Sequence, residues 1–473
     1  MASQPGDQEP FEGATASPNG PMINPHDDPA MRKTVTRKVI RRLMPFLVLL
    51  YFINYLDRTN IGFAGPNGMN KDLGLSETVY GLAAGLFFIG YLIFEVPSNL
   101  ALHKFGARRW IARIMVTWGI VASLIAFVPN AATLLGLRVL LGICEAGFFP
   151  GIILYLTFWF PKRIRAAAVG LFMAAIPLSS VIGAPLSAWL IQGGHKVLFG
   201  LEGWRFMFLV EGVPAIIVGV ICWFYLTDRP KDAKWLAPAE REWLQTEMDF
   251  GDEQTSKRYH FPLRKSLLNP RIWGLTFVYF GAVYGTYSLS FFLPTIVKDF
   301  AKQYNTEFSI VQQGLIVAIP WAFGAVAMIL WGRHSDKTGE RVWHCAGPLI
   351  VGGIAIPITL YLGSPFAAMV AVTICTVGIV CSLAAFWPLP TVFLTGVAAA
   401  AGIALINSVA NLGGFIAPYV TGWMADVTGS QKTGLWIVGI IMVLAGLTAI
   451  ALKATPTPDD ESALEVDKLT YAD

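Results

Sequence analysis

Twelve long apolar stretches, separated by shorter polar segments, dominate the pattern of hydrophobic and polar positions along the chain. A helix that crosses a lipid bilayer needs about 20 mostly apolar residues, and each stretch is long enough. We therefore predict an all-α membrane protein with twelve membrane-spanning helices arranged as two six-helix bundles. The predicted spans are 43–65, 78–102, 110–128, 132–158, 167–192, 204–227, 271–295, 311–332, 344–363, 366–392, 398–423 and 433–453.

One polar segment in the middle of the chain is much longer than the others. Residues 228–270 are charged, contain several prolines, among them Pro230, Pro238 and Pro262, and include a short amphipathic helical pattern. The segment divides the chain into two halves and gives the following predicted organisation. A disordered cytoplasmic tail at 1–41 precedes a first bundle at 42–227, a linker at 228–270, a second bundle at 271–454 and a cytoplasmic tail at 455–473. The first tail has no apolar stretch, so we expect no cleavable signal peptide.

Lysine and arginine are concentrated before the first apolar stretch and in the loops that follow the second, fourth and eighth. Because positively charged loops stay in the cytoplasm, we predict a multi-pass protein of the bacterial cytoplasmic membrane with both termini cytoplasmic. The composition is 55% hydrophobic and 14% charged, which indicates that lipid surrounds the chain. The small net charge of +4 suggests no nucleic-acid partner.

The two predicted bundles repeat one another at a fixed offset. Residues 104–108 read Lys-x-Gly-x-Arg, and the same pattern recurs 233 positions later at 337–341. At the same offset, Pro185 in the fifth span corresponds to Pro418 in the eleventh. Parallel repeats of this kind are typical of secondary transporters, in which the binding site lies between the halves at mid-membrane.

Two pairs of charged residues within predicted spans suggest functional chemistry, because a charge inside the membrane is expected to cost about 3 kcal/mol on insertion. Asp57 and Arg58 are adjacent in the first span, and they form either a functional site or an interfacial ion pair that anchors the helix end. Arg138 and Glu145 lie seven positions apart in the fourth span, on one helix face. A carboxylate there must pair with an arginine or take up a proton, which suits proton transport. A static salt bridge is the alternative.

Other polar residues and helix breakers occur in or near the spans. Glycines and a proline are predicted to interrupt the seventh span, where Tyr284 and Tyr287 would face a cavity. Asn407 and the glycines that follow it mark the eleventh span in the same way. For Glu95 and Glu211, which also lie within spans, we favour a structural role over a binding role.

The loop at 332–341 predicts a latch between spans eight and nine. Its Asp336 can cap the next helix or pair with Arg341, and either contact would hold the cytoplasmic side together. In the first repeat His103 stands where the aspartate would be, so we predict a weaker latch around Arg108.

The sequence contains no phosphate-binding loop, no His-Glu-x-x-His pattern and no paired cysteines. We therefore predict no metal, no cofactor and no enzymatic activity. ATP-driven pumping is not expected either, so transport must be driven by an ion gradient or by the gradient of the solute.

Four motifs occur in the order found in one transporter family. They are Asn-Tyr-Leu-Asp-Arg-Thr-Asn-Ile-Gly at 54–62, Phe-Glu-Val-Pro-Ser-Asn at 94–99, Leu-Gly-Ile-Cys-Glu-Ala-Gly-Phe-Phe-Pro at 141–150 and Gly-Trp-Arg-Phe-Met-Phe-Leu-Val-Glu-Gly-Val-Pro at 203–214. Together with the 332–341 loop, they resemble the anion:cation symporter family of the major facilitator superfamily. Members include bacterial tartrate, phthalate, galactonate and hydroxyphenylacetate permeases. The resemblance covers all twelve spans and is specific for the family, but not for a substrate.

The resemblance implies roles for individual residues. Asp57 and Glu145 match the proton-binding carboxylates of the family, and Arg58 matches the arginine that binds the substrate carboxylate. Arg138 matches an arginine expected to pair with these carboxylates when no anion is bound. Further positions that correspond to substrate-site residues are Tyr55, Ile176, Trp387 and Asn407.

The chain departs from the sugar-acid members at the expected site. Those members have a glutamine at the position of Ile176 and small hydroxyl residues near Ala384 and Phe386. The predicted function is therefore proton-coupled import, by a monomer, of an aromatic or sparsely hydroxylated carboxylate, with a hydroxy acid as the other candidate. A drug:proton antiporter of the same fold is an alternative, although its usual Gly-Pro-x-x-Gly-Gly run is reduced here to Gly-Ala-Pro at 183–185. A non-transporting membrane receptor is a more distant one.

Overall fold

The computed structural model describes residues 28–256, 269–303, 306–393, 402 and 405–454, and within these residues the regular structure is helical. Eleven helical segments among them are long and apolar enough to cross a membrane. The helix Gly413–Thr428 belongs to the remaining span, number eleven. The predicted fold class, an all-α membrane protein with twelve spans, is confirmed.

The first bundle contains spans one to six. Span one is Pro29–Thr59 with its continuation Ile61–Ala64, span two is Glu77–Phe105, span three is Ala107–Leu124, span four is Ala131–Glu145 with Phe148–Trp159, span five is Lys162–Met173 with Ala175–Gly193, and span six is Gly203–Tyr225. Successive spans alternate in direction. We call the side on which span one begins and span twelve ends the terminal side, and the other the opposite side.

The second bundle contains spans seven to twelve and follows a linker helix, Pro238–Ser256. Span seven is Pro270–Gln303, span eight is Ile310–Thr338, span nine is Val342–Ile358, and span ten is Pro365–Phe386 with Pro388–Phe393. Span eleven includes a helical stretch at 405–410 and the helix Gly413–Thr428, and span twelve is Lys432–Ala454. Local signals set several ends. Ser309 and Gln312 form a capping box at the start of span eight. Gly106 and Gly339, which correspond in the repeat, end spans two and eight with φ values of 88° and 69°.

Two glycines related by the repeat offset bring the bundles together. A Cβ on Gly81 in span two would collide with the Pro418 carbonyl of span eleven, and one on Gly314 in span eight would lie 2.6 Å from the Ala184 carbonyl oxygen of span five. Positions 81 and 314 are also 233 apart, so the contacts between spans two and eleven and between spans five and eight are twofold equivalents. All four residues lie toward the opposite side, where the bundles are therefore packed together.

The prediction of a disordered tail at 1–41 is wrong over residues 29–41, which form the first turns of span one. Asp28 caps the N-terminus of this helix. The side chains of Val35 and Val39, in its first turns, are buried in the protein interior. The Nζ atom of Lys38 also lies 2.5 Å from Oε1 of Glu240 in the linker helix. The Lys38–Glu240 contact joins the first turns of span one to the linker helix. Residues 1–27 and the predicted tail at 455–473 lie outside the described residues.

The predicted interruption of span seven is also wrong, because the helix is continuous from Pro270 to Gln303. Its glycines serve close packing instead. Gly281 lies against Ala445 of span twelve, and Gly285 against Met442 and Ile379. In a membrane, small residues let helices approach without any loss of backbone hydrogen bonds.

Candidate substrate and proton site

A cavity lies between the two bundles, and we call it the central cavity. Its wall is mainly aromatic and includes Tyr51, Tyr55, Phe88, Tyr91, Tyr279 and Tyr287. Arg58, Ile176 and Asn407 also line it. Tyr51 lies two helical turns before Arg58 in span one, so the cavity extends from Arg58 toward the terminal side. It therefore brings together five residues that the sequence predicted for the site: Tyr55, Arg58, Ile176, Tyr287 and Asn407.

Arg58 makes the central charged contact of the site. Its Nε lies 3.1 Å from Oε1 of Glu145, and its Nη2 donates to the same oxygen. Its Nη1 donates to the Tyr287 hydroxyl at 3.0 Å, across the boundary between the bundles. Arg58 is 7% exposed and Glu145 is 0% exposed. The pair is thus withdrawn from solvent, but its cationic member reaches the cavity wall.

Glu145 owes its position to a break in span four. The first helix of the span ends at Glu145, Ala146 has a ψ of 134°, and Gly147 has a φ of 83°. A Cβ at position 147 would collide with Ser98 of span two, so only glycine fits there. The carboxylate consequently sits at a helix C-terminus, whose partial negative charge opposes it. The ion pair with Arg58 offsets this repulsion.

The predicted pairing of Arg138 with the carboxylates is not observed. Arg138 is fully buried, and its Nε and Nη2 donate to the carbonyl oxygens of Ala83 and Ala84, at 2.8 and 3.2 Å. Side chains in a helix point toward its N-terminus, so Arg138 extends away from Glu145 although both share one face. Arg138 instead joins span four to span two.

Asp57 is buried outside the central cavity and forms no ion pair with the adjacent Arg58. It is 2% exposed, and it takes no part in the ion pair that the sequence offered as one alternative. Its carboxylate accepts from Nε1 of Trp118 at 2.5 Å and from Nδ2 of Asn60 at 3.5 Å. Asn60 also donates to Glu211 at 3.0 Å. In the described part of the chain, no three His, Cys, Asp or Glu side chains are placed to hold a metal ion.

Two predicted site residues lie behind the cavity wall. Tyr284 is fully buried and packs on Phe280, with 5.7 Å between the ring centroids. Trp387 packs on Tyr279, with 4.9 Å between ring centroids, and so supports a residue of the wall. Direct contact of either with a solute in the central cavity is not indicated by this arrangement.

Glu95 forms a contact between the bundles that the sequence did not reveal. Its carboxylate accepts from Nδ2 of Asn407 at 3.2 Å and from Oγ of Ser408 at 3.3 Å. Glu95 belongs to the terminal half of span two, so this contact lies on the terminal side of the cavity. No spacing rule links positions 95 and 407, and only the packing of span two on span eleven brings them together.

The two latches are built differently. Arg341 donates to Asp336 at 2.7 Å within the second repeat. In the first repeat, the acidic group comes from the end of span six. Asp228 accepts from the backbone N–H of Arg108 at 2.8 Å, and its other oxygen lies 3.8 Å from Nε of Arg108. Asp228 thereby supplies the carboxylate that the repeat lacks at position 103.

Comparisons with known proteins agree with this architecture. The sequence profile described as Major Facilitator Superfamily matches residues 47–404. A protein of Agrobacterium vitis, provisionally named as a tartrate transporter, is 50% identical over 89% of this chain and 95% of its own length. The quinolone resistance transporter of Acinetobacter baumannii is 37% identical over 87% of this chain and 93% of its own.

A solved structure shows the same fold. The inward open conformation of the xylose transporter XylE from E. coli matches with a TM-score of 0.70 and 15% identity, covering 90% of this chain and 99% of that one. The chain is therefore a multi-pass membrane transporter and not an enzyme, and it belongs to the Major Facilitator Superfamily, in the group of anion:cation symporter-like proteins.

Proposed function

We propose that this transporter imports a small organic carboxylate together with protons. The observation that carries the proposal is the pairing of Arg58, on the wall of the central cavity, with the fully buried Glu145. An anion that enters the cavity and binds the guanidinium competes with Glu145 for it. Without Arg58, Glu145 is a buried charge at a helix C-terminus, and such a carboxylate is stable only when protonated. Anion binding and proton uptake thus become one event.

Alternating access follows from the way the bundles meet. They are packed together toward the opposite side by the glycine contacts of Gly81 and Gly314. The central cavity lies on the terminal side of Arg58, which the distribution of basic residues assigns to the cytoplasm. In the proposed cycle, the anion and protons load from outside when the opposite side is open, and they leave toward the cytoplasm from the arrangement seen here. Asp57 is the second proton-binding carboxylate.

The cavity wall supports a substrate class. Seven aromatic rings and Ile176 line it, and they favour an aromatic or sparsely hydroxylated carboxylate, such as a phthalate-like acid. The tyrosine hydroxyls and Asn407 supply the polar contacts. The name of the Agrobacterium relative supports an organic acid, with tartrate-like hydroxy acids as the alternative within the class.

The test uses purified protein, with a thermal-shift screen of benzoate, phthalate, tartrate and galactonate followed by uptake into proteoliposomes. We expect a hit to accumulate when the outside is acidic relative to the inside, and a protonophore to abolish the accumulation. Protein-free liposomes are the control. Uptake indifferent to the pH gradient would refute proton coupling, and preference for galactonate would refute the aromatic-acid assignment.

A drug:proton antiporter is a second candidate, favoured by the name of the Acinetobacter relative. The cationic Arg58 on the cavity wall favours an anionic solute over the cationic ones that many exporters remove. The direction of coupling distinguishes the two functions. An antiporter would move its solute in the direction opposite to the flow of protons, whereas the proposed symporter moves solute and protons in the same direction.

A further inference from the structure

Glu211 of span six is a buried carboxylate that the coupling of Arg58 to Glu145 does not use. It is 2% exposed, and both of its oxygens are bonded. Oε1 accepts from the Ser187 hydroxyl of span five at 2.7 Å, and Oε2 accepts from Nδ2 of Asn60 at 3.0 Å. A carboxylate held inside the membrane by neutral donors is costly, which points to a use in transport.

A second cavity is lined by Ser187, the residue whose hydroxyl donates to this carboxylate. It lies between span one, span five and the second bundle, and its polar wall is made of hydroxyls: Thr59, Ser179, Ser180, Ser187 and Ser290. Thr59 ends the main helix of span one, and Ser187 precedes the end of span five by six residues. Both helices run toward the opposite side, so the second cavity lies in the opposite half of the membrane.

Asn60 joins Glu211 to Asp57. Its Nδ2 amino group lies 3.0 Å from Glu211 and 3.5 Å from Asp57, so one amide serves two carboxylates. The other donors around the pair, Trp118 from span three and Ser187 from span five, are neutral.

No lysine or arginine forms an ion pair with either acid in the part of the chain that the structure describes. Arg138 of span four donates to the backbone of span two and not to either acid. Arg205, on the same span as Glu211, is bound to Asp72 and to two backbone carbonyls of the opposite side.

We propose that Glu211 is a third proton-carrying carboxylate, loaded through Ser187 from the second cavity, and that it controls the protonation of Asp57. A hydronium ion in the cavity gives a proton to the Ser187 oxygen and leaves as water. Ser187 passes its own hydroxyl proton to Oε1 of Glu211 along their hydrogen bond. Because two adjacent buried acids without a cation disfavour a double negative charge, the protonation of one sets that of the other, and Asn60 donates to whichever is ionised.

The arrangement separates the two transported species. The solute meets Arg58 in the central cavity, whereas protons reach the Asp57–Glu211 pair through the second cavity, in the opposite half of the membrane. This inference rests on the proposed proton-coupled import, and it adds the route and the acceptor through which the pH of the opposite side is sensed.

The test compares Glu211→Gln and Ser187→Ala with the unmodified protein in proteoliposomes, using a carboxylate that the unmodified protein accumulates under a pH gradient. Ser123→Ala is a matched control. Ser123 packs against Gly212, next to Glu211, but its hydroxyl bonds to the Gly119 carbonyl of its own helix. For each variant, solute exchange without a gradient and pH-driven accumulation are measured side by side.

We expect Glu211→Gln to lose pH-driven accumulation and to keep solute exchange. Ser187→Ala should require a more acidic exterior for half-maximal accumulation. Ser187→Thr, which keeps a hydroxyl, should restore the pH dependence of the unmodified protein. Ser123→Ala should behave as the unmodified protein. Undiminished accumulation in Glu211→Gln, or a parallel loss of exchange and accumulation in folded protein, would overturn the inference. If Glu211→Gln does not fold, an unchanged pH profile in Ser187→Ala overturns it. A failure of the unmodified protein to respond to pH would instead refute the proposed function.

Discussion

At the scale of single residues, the site depends on one guanidinium with two competing partners. Arg58 presents a planar set of N–H donors to Glu145 in the structure and to the substrate carboxylate in the proposed cycle. Its neighbours are aromatic, with the rings of Phe87 and Tyr91 5.0 and 5.3 Å from the guanidinium. Aromatic surroundings of this kind favour the delocalised guanidinium of arginine over the compact ammonium group of lysine.

The first prediction concerns Arg58 itself. Arg58→Ala should abolish solute binding, because no other cation lines the described part of the central cavity. Arg58→Lys should keep the charge but lose the two-point contact, which weakens binding on the order of tenfold. Thermal shift and calorimetry with the accepted carboxylate measure both effects. An unaltered affinity in Arg58→Ala would contradict the assignment.

The second prediction concerns Glu145. Glu145→Gln resembles the protonated state permanently, so exchange of solute should continue and become independent of pH, whereas pH-driven accumulation should disappear. Glu202→Gln is a suitable control, because Glu202 is an acidic residue near the opposite side whose partner is the exposed His195. Exchange and accumulation assays on the same vesicles check the result. Accumulation that survives in Glu145→Gln would remove this residue from the coupling.

At the scale of helices, the two bundles meet through glycines on the opposite side. The third prediction concerns these glycines. Gly81→Ala should separate span two from span eleven, and Gly314→Ala should separate span eight from span five. A methyl group at either site collides with a backbone carbonyl that cannot move independently of its helix. Gly136→Ala, at a glycine with open space around it, is the control.

The measurement is the distance between spin labels at the opposite-side ends of these spans, after the five native cysteines are replaced. We expect longer distances for the two interface variants and no change for the control. Distance distributions that match the unmodified protein would show that these glycines do not limit closure.

Sequence reasoning located the helices well and their interruptions poorly. Length and hydropathy predict a span directly, because lipid requires an apolar segment of a given length. Whether a glycine breaks a helix depends on what lies beside it. Gly281 packs against span twelve within a continuous helix. Gly147 instead packs against Ser98 of span two and lies at the break in span four that positions Glu145. The two cases look alike in the sequence.

At the scale of the whole molecule, transport requires the halves to separate on one side while they close on the other. On the terminal side, the contact of Glu95 with Asn407 and Ser408 ties the halves together. The fourth prediction is that Glu95→Ala opens the central cavity further to the terminal side. Glu95→Gln, which retains one acceptor oxygen, should have a smaller effect.

The rate at which a maleimide reacts with Ile176→Cys, in a background without the native cysteines, reports access to the cavity. We expect a faster reaction from the terminal side in Glu95→Ala and an intermediate rate in Glu95→Gln. Equal rates in all three backgrounds would mean that the Glu95 contact does not restrict access.

The sequence alone determined the twelve spans, the twofold repeat, the likeness to a transporter family and the presence of costly charges inside the membrane. These are properties of composition, period and order, and they need no partner to be recognised. Only the tertiary structure decided which charges meet: that Arg58 holds Glu145, that Arg138 binds the backbone of span two, and that Asp57 shares Asn60 with Glu211. The reason is physical, because a buried charge is stabilised by whichever group the packing of distant helices brings within reach.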